Sequence, residues 1–250
     1  MYPAIVYILW LRQVKRYWRS RARIVSSVAQ PLLFLVAFGF GFGPMYAKAQ
    51  GGNYMDFLAP GIIVMSILFT AMFGGIEVIW DKQFGFLKET LVAPVPRLVT
   101  MLGRTLGGAT VALLQGLLVF LVTLVVGFRP HSLPMVAVAF GFMFVIAVLF
   151  TAVGTGIASR LNDMHAFPLV MNFLVMPLFF LSGALFPVDQ LPRALKVVVY
   201  FDPVSYGVDA VRGALVGISH FGFQVDLAVL AAVTLVALVV GSLLFEHLEA

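Results

Sequence analysis

PHSLPMVAVAFGFMFVIAVLFTAVGTGIAS, residues 130–159, runs for thirty positions without an Asp, Glu, Lys or Arg. As an α-helix rising about 1.5 Å per residue it would be roughly 45 Å long, enough to cross a hydrocarbon core of about 30 Å. Apolar residues occupy every face of it, so no side is left to turn toward water. Five more charge-free windows lie on either side: Ile24–Ala47, Phe57–Ile76, Thr105–Phe128, Met164–Val188 and Leu227–Phe245, each of at least 19 residues. The next longest, Gly213–Val225, is too short to span. The runs are continuous and do not alternate, which favours helices over a barrel. Pro31 and Pro177 inside them are tolerated in membrane helices. The expected fold is all-α: a polytopic membrane protein with six transmembrane helices.

Composition agrees. Of 250 residues, 62% are hydrophobic and 11% charged, with a mean hydropathy of +1.04. A soluble domain carries about 25% charged residues, so this chain has too little charge to cover a water-facing surface. The absence of cysteine excludes a disulfide framework, a thiolate metal site and a thiol nucleophile. The net charge of +5 does not imply nucleic acid, because the basic residues sit in clusters between apolar runs. The first apolar stretch is short and is followed by Arg12, Lys15 and Arg16 in place of a small-residue cleavage site, unlike a cleaved leader.

Lys and Arg also set the orientation. With the N-terminus inside, Arg12, Lys15, Arg16, Arg19, Arg21, Arg23, Lys82, Lys88, Arg97, Arg104 and Arg160 are cytoplasmic. Only Lys48, Arg129, Arg193, Lys196 and Arg212 lie opposite. The bias places both termini in the cytoplasm.

Three segments outside the spans have their own patterns. Residues 3–23 read as an amphipathic interfacial helix, with Arg12, Arg16, Arg19 and Arg23 on one face and Leu11, Val14 and Trp18 opposite. Such a face suits anionic headgroups, although ordinary flanking charge has the same composition. Between spans two and three, residues 80–97 read WDKQFGFLKETLVAPVPR. Phe84, Leu87 and Leu91 share a helical face, Asp81, Lys82, Lys88 and Glu89 surround it, and Pro94 and Pro96 end it. Spacing alone leaves lipid headgroups and a soluble partner equally open as the surface that covers this stripe. From Pro187 to Val225, Asp189 before Leu191-Pro192 and Asp202 before Pro203 each read as a helix start. Two short apolar helices that dip back against the bundle are expected there, with Asp209 and Arg212 placed to neutralise each other.

Chemistry-bearing residues are few. The intramembrane polar candidates are Gln30, Glu77, Gln115 and Asn172. Glu77 lies four residues before Asp81 and reads as an interfacial acid, while Gln115 and Asn172 read as inter-helix hydrogen-bonding groups before they read as pathway lining. His131, His165, His220 and His247 are isolated, so no metal site is expected. There is no Gly-x-Ser-x-Gly nucleophile motif. No lysine directly follows a glycine, so the chain has no phosphate loop. Catalysis and a bound cofactor are not expected of this chain. The Gly-rich stretches at 39–43, 103–108 and 154–156 suit close helix packing.

Two stretches carry a resemblance. The loop from Trp80 to Arg97 resembles the first cytoplasmic loop of ABC-2 type exporter permeases. FLSGALFPVDQLP (residues 180–192) and DPVSYGVDAVR (residues 202–212) together resemble that family's C-terminal signature. The subgroup most similar in appearance is the daunorubicin-resistance and nodulation-export permease. The resemblance implies that residues 1–23 form a connecting helix, with Arg12, Lys15, Arg16 and Arg19 near an ATPase. Residues 24–250 would form the six-span domain. A coupling helix over 81–93 would dock on a separate ATP-binding cassette subunit through Phe84, Leu87 and Leu91, with Asp81, Lys82, Lys88 and Glu89 as polar contacts. Residues 187–216, with Pro187, Asp189, Pro192, Asp202, Pro203, Tyr206, Asp209 and Arg212, would be extracytoplasmic re-entrant helices. Two ATPase copies, which bind ATP and Mg, a second permease copy and a prokaryotic plasma membrane are likewise implied. The competing reading is a secondary transporter or channel of three-plus-three inverted halves, for which one interfacial acid is a thin basis for ion coupling. The apolar character suits an amphiphilic substrate such as a drug, lipid or glycolipid.

Overall fold

A computed structural model describes residues 2–50, 53–85, 95–188 and 191–246. Among the described residues the regular structure is helical and no strand occurs. The helices are α1 (Tyr2–Arg19), α2 (Arg21–Gln50), α3 (Tyr54–Phe73), α4 (Ile76–Gln83), α5 (Arg97–Val126), α6 (Leu133–Arg160), α7 (Ala166–Leu181), α8 (Arg193–Phe201), α9 (Pro203–Val216) and α10 (Phe223–Glu246).

The core is one helix surrounded by others. Every residue of α3 from Leu58 to Leu68 is buried, the state expected of a helix that is apolar all round. It touches α2, α5, α6, α7 and α9. The outer helices show the reverse: Leu33 and Phe40 on α2, Phe173 on α7, and Leu235 and Val239 on α10 all face outward. Large apolar side chains turned out over whole helices are stable in lipid or against another subunit, not in water. The chain is a polytopic all-α membrane protein.

Five stretches are long and apolar enough to cross a bilayer: Ile24–Tyr46, Tyr54–Gln83, Arg97–Val126, Leu133–Arg160 and Phe223–Leu244. The sixth expected window, Met164–Val188, differs. Only Ala166–Leu181 is helical, a length of about 24 Å for its 16 residues. Beyond Leu181 the chain turns, with Gly183 at φ +75°, a conformation glycine adopts without a Cβ clash. Backbone that leaves a helix away from water must find donors within the protein. Arg212 donates to the carbonyls of Gly183 and Ala184 at 3.1 and 3.3 Å, and the Tyr54 hydroxyl donates to Leu185 at 3.1 Å.

The connecting segment is also shorter than expected. α1 ends at Arg19, and Arg21 and Arg23 belong to α2. Nor does α1 stand apart from the bundle. Its backbone at Val6 and side chain of Leu9 lie over Gly103, Gln13 lies over Gly107, Trp10 donates to Thr110 at 2.9 Å, and Tyr17 donates to Gln115 at 2.9 Å. The two helices therefore run side by side in the same direction, the glycines giving α1 its seat. Leu9 and Tyr17 are the buried residues of α1, while Trp18 faces outward.

α3 and α4 are nearly one rod. Gly74 and Gly75 keep helical dihedrals and only a turn separates the two helices. Here α3 and α6 touch backbone to backbone. A Cβ on Gly154 would lie 2.5 Å from the Met72 carbonyl oxygen, and one on Gly75 would strike the Gly154 carbonyl. Backbone atoms cannot swing aside as a side chain would. Gly154→Val should therefore lower the melting temperature of the purified protein, with an overpacking cost of about 1–3 kcal/mol. Gly141→Ala on the same helix, where a Cβ meets nothing within 4 Å, should leave it unchanged in the same assay.

Candidate functional site

The charges of α1 and α4 converge on one point. Asp81, in the last turn of α4, is 3% exposed. One carboxylate oxygen accepts from Arg104 of α5 at 2.5 Å and the other from Arg12 of α1 at 2.6 Å. One turn later on α1 and one turn earlier on α4, Arg16 lies 3.6 Å from Glu77, and its guanidinium sits 5.8 Å from the Trp80 ring centroid. The pairs 12/16 and 77/81 share the i,i+4 spacing that aligns side chains on one helix face, so α1 and α4 meet along two rungs. Arg104 is buried, with its Nε unpartnered among the described residues. Its positive charge is balanced chiefly by Asp81.

The next residue binds a different element. Lys82 Nζ donates to the Ser159 carbonyl at 2.5 Å, to the Leu161 carbonyl at 3.3 Å and to Asn162 Oδ1 at 3.3 Å, and Gln83 donates to the Asn162 carbonyl at 3.0 Å. A cation on the free carbonyls at the end of α6 is the favoured arrangement for a helix C-terminus. α4 is thus tied at once to α1, to α5 and to the α6–α7 turn.

The start of the expected helix over 81–93 differs, and its residues 86–93 lie outside the described residues. Asp81 and Lys82 close α4, with their charges turned into the protein. Phe84 ends the helix, and Gly85 has φ +79°. Phe84 itself is exposed and meets Trp80 edge-on. Leu87, Lys88, Glu89 and Leu91 lie outside the described residues. Lys15 and Arg19, with Arg12 and Arg16, line a basic surface cleft of about 630 Å³.

Two polar candidates lie deeper. Gln115 is fully buried, accepts from Tyr17 and Ser27 and donates to the Ser27 carbonyl at 3.0 Å, so it joins α1, α2 and α5. Asn172 lines a cavity of about 300 Å³ between α2, α3 and α7, with Gln30, Ser66 and Thr70 among its polar groups and Met65, Phe69 and Phe73 among its apolar ones. Tyr17 and Ser27 close one side of it. The sequence reading missed Arg104, Tyr17 and Asn162. A lone arginine inside an otherwise apolar helix was the signal for the first; nothing local marks the other two.

At the opposite end, Asp202 caps α9. Its Oδ1 accepts from Val204 N–H at 2.9 Å, and Pro203 occupies the first turn. Tyr206 donates to the Tyr200 carbonyl at 2.8 Å. Pro192 directly precedes α8, Pro187 lies in the preceding turn, and Asp189 is outside the described residues. The expected Asp209–Arg212 pair forms no direct hydrogen bond, although the two groups interact electrostatically. Asp209 accepts from the Ser219 hydroxyl and from the His220 and Phe221 N–H groups at 2.8–2.9 Å. Arg212 turns away to the Phe57, Gly183 and Ala184 carbonyls and stacks 3.9 Å from the Phe57 ring centroid.

Residues 5–216 match the family described as ABC-2 type transporter. The chain belongs to the ABC-2 type transporter family. Relatives agree along most of its length. The inner membrane transport permease YadH of Escherichia coli (strain K12) is 29% identical over 219 residues, covering 84% of this chain and 82% of the relative. Nodulation protein J of Rhizobium leguminosarum bv. viciae is 27% identical over 219 residues, covering 84% and 81%. The putative transport permease ycf38 of Cyanophora paradoxa is 27% identical over 210 residues, covering 83% and 72%. This ABC-2 chain is an integral membrane protein of the transport-permease class, and the matched span includes both the α4 junction and the α8–α9 pair.

Two outcomes test the geometry. Removing one partner of a buried ion pair costs about 3–5 kcal/mol, because the other charge is stranded. Asp81→Asn should therefore lower the thermal stability of the detergent-purified protein markedly. Asp81→Asn combined with Arg104→Met should lose much less than the two single changes summed; strict additivity in the cycle would contradict the pairing. The second outcome concerns Asp202, whose carboxyl is pushed up to about 7, burial outweighing the hydrogen bonds from Val204 and Ser205. An acid with a folded-state value above its unfolded one contributes fully when protonated, so stability falls as pH rises from about 4 to about 7. Asp202→Asn keeps the cap and should flatten that slope in melting curves taken across the interval.

Proposed function

We propose that the chain is the membrane subunit of an ATP-driven exporter, paired with a second permease copy and coupled to two copies of a separate ATP-binding cassette subunit. The observation that carries this reading is the α4 junction. A helix continuous with a buried span ends in a carboxylate clamped by α1 and α5, and the loop that follows begins with an exposed Phe84. Force applied to that loop enters the bundle through α4, because no slack separates the loop from Asp81 and Lys82. Energy must come from elsewhere, since the sequence has no phosphate loop. Nucleotide-driven closure of the partner subunits would be a rigid-body motion, and it biases the permease only through contacts that differ between the two nucleotide states.

In this reading, Leu87 and Leu91 complete the docking face with Phe84, and Lys88 and Glu89 are its polar contacts. ATP and Mg are held by the partner. Both termini and the α4 junction are cytoplasmic, as the distribution of Lys and Arg favours, and α8 and α9 cover the exit on the other side. The cavity between α2, α3 and α7 mixes amide and hydroxyl groups with Met and Phe. That lining suits an amphiphile better than an inorganic ion.

Leu87→Arg and Glu89→Arg test the docking face in membranes that hold both subunits. Each should reduce co-purification of the ATPase and its substrate-stimulated hydrolysis at least severalfold, with permease abundance unchanged. Normal hydrolysis and normal co-purification in both variants would remove the docking assignment. Gradient-driven flux through the reconstituted chain alone would replace the whole reading with secondary transport.

A further inference from the structure

Asp226 lies in the first turn of α10 and is fully buried, and neither of its carboxyl oxygens has a hydrogen-bond partner among the described residues. A bare carboxylate in a dry site is too costly to persist. Such a group finds a counter-charge or takes up a proton. Its surroundings decide between the two.

α10 packs against α5, α6 and α9. The only titratable side chain of α6 is Arg160, its last residue. α5 carries Arg97 and Arg104, both near the end where Met101 meets Gly241 of α10, far from Asp226. α10 itself adds only Glu246, at its other end. α9 presents Tyr206 and Asp209, the two groups that interact electrostatically with Asp226. Tyr206 spends its hydroxyl on the Tyr200 carbonyl, and Asp209 already holds the Ser219 hydroxyl and the His220 and Phe221 amides. Arg212 lines the same cleft as Asp209 and interacts with it electrostatically, but its hydrogen bonds go to the Phe57 and Gly183 carbonyls and none goes to Asp226. Arg129 donates to the Leu124 carbonyl, and His131 sits beside Gly217 at the far turn of α9. The His220 ring lies edge-on against Phe221. The start of α10 would favour a negative charge, yet the carboxyl accepts none of that helix's free N–H groups. Two carboxyl groups therefore share one helix interface, one supplied with three donors and the other with none.

We propose that Asp226 is a proton-binding site, carried as the neutral acid where α10 meets α9 and losing its proton only when the two helices part. Asp209 is the member of the pair that holds the donors. It also lines a cleft of about 310 Å³ with Ser219, His220 and Arg212, which gives protons a polar route to the interface. The site belongs to the bundle alone and does not depend on an ATPase partner, so it stands or falls separately from the proposed function.

The test is infrared spectroscopy of the full-length chain in detergent, in an Asp202→Asn background that removes the buried acid capping α9. A carbonyl stretch of a protonated carboxylic acid should be present at neutral pH, disappear at alkaline pH, and be missing from Asp226→Asn and Asp226→Leu. The melting temperature should fall as pH rises through that transition in the parent, and this fall should vanish in Asp226→Asn. The parent spectrum decides even where a variant does not fold: no protonated-acid band at neutral pH overturns the proposal. A band that survives both substitutions overturns it too. So does stabilisation by sodium or potassium that Asp226→Asn abolishes, which would make a metal cation the occupant.

Discussion

A carboxylate removed from water between two guanidinium groups is the interaction on which this architecture turns. Asp81 is reached by Arg104 from one helix and by Arg12 from another, each on its own oxygen. Buried ion pairs add little net stability compared with apolar packing, but they are strict about geometry, because stranding either charge is expensive. The pairing therefore fixes register. It sets where α1 stops sliding along the glycines of α5, and how far α4 projects from the central helix. Lys82, one residue on, fixes the α6–α7 turn against the same end.

The opposite end solves a different problem by related means. α7 ends at Leu181 inside its apolar window, which frees carbonyl groups that lipid cannot satisfy. One arginine and one tyrosine, from helices distant in the chain, supply the missing donors. A charge-bearing side chain works here as a structural plug: Arg212 joins α9 to the start of α3 and to the broken end of α7.

The sequence disclosed what depends on neighbours along the chain and concealed what depends on neighbours across it. Charge-free windows located the long helices because a lipid-exposed charge is costly wherever it stands. Asp202-Pro203 marked the start of α9 because capping is local. Hydropathy could not see that Met164–Val188 is helical only to Leu181, since what permits the break is Tyr54 and Arg212, far away in sequence. Spacing three apart suggested Asp209 with Arg212, but each found better partners on other elements. The same applies to Asp81. Periodicity leaves it on a polar face, and only the partners from residues 12 and 104 turn that face inward. The glycines at 103 and 107 announced a close contact without naming α1 as its occupant.

The touching backbones at Gly75 and Gly154 have a mechanical meaning. On one side of that contact stands α4, eight residues or about 12 Å long; on the other stands α3, twenty residues or about 30 Å. Two rods joined at a fulcrum of unequal arms form a lever of roughly two and a half to one. With no side chain to compress at the bearing, a tilt of the short arm would be felt at the far tip. That tip is Tyr54 and Phe57, where the seal around Arg212 is made.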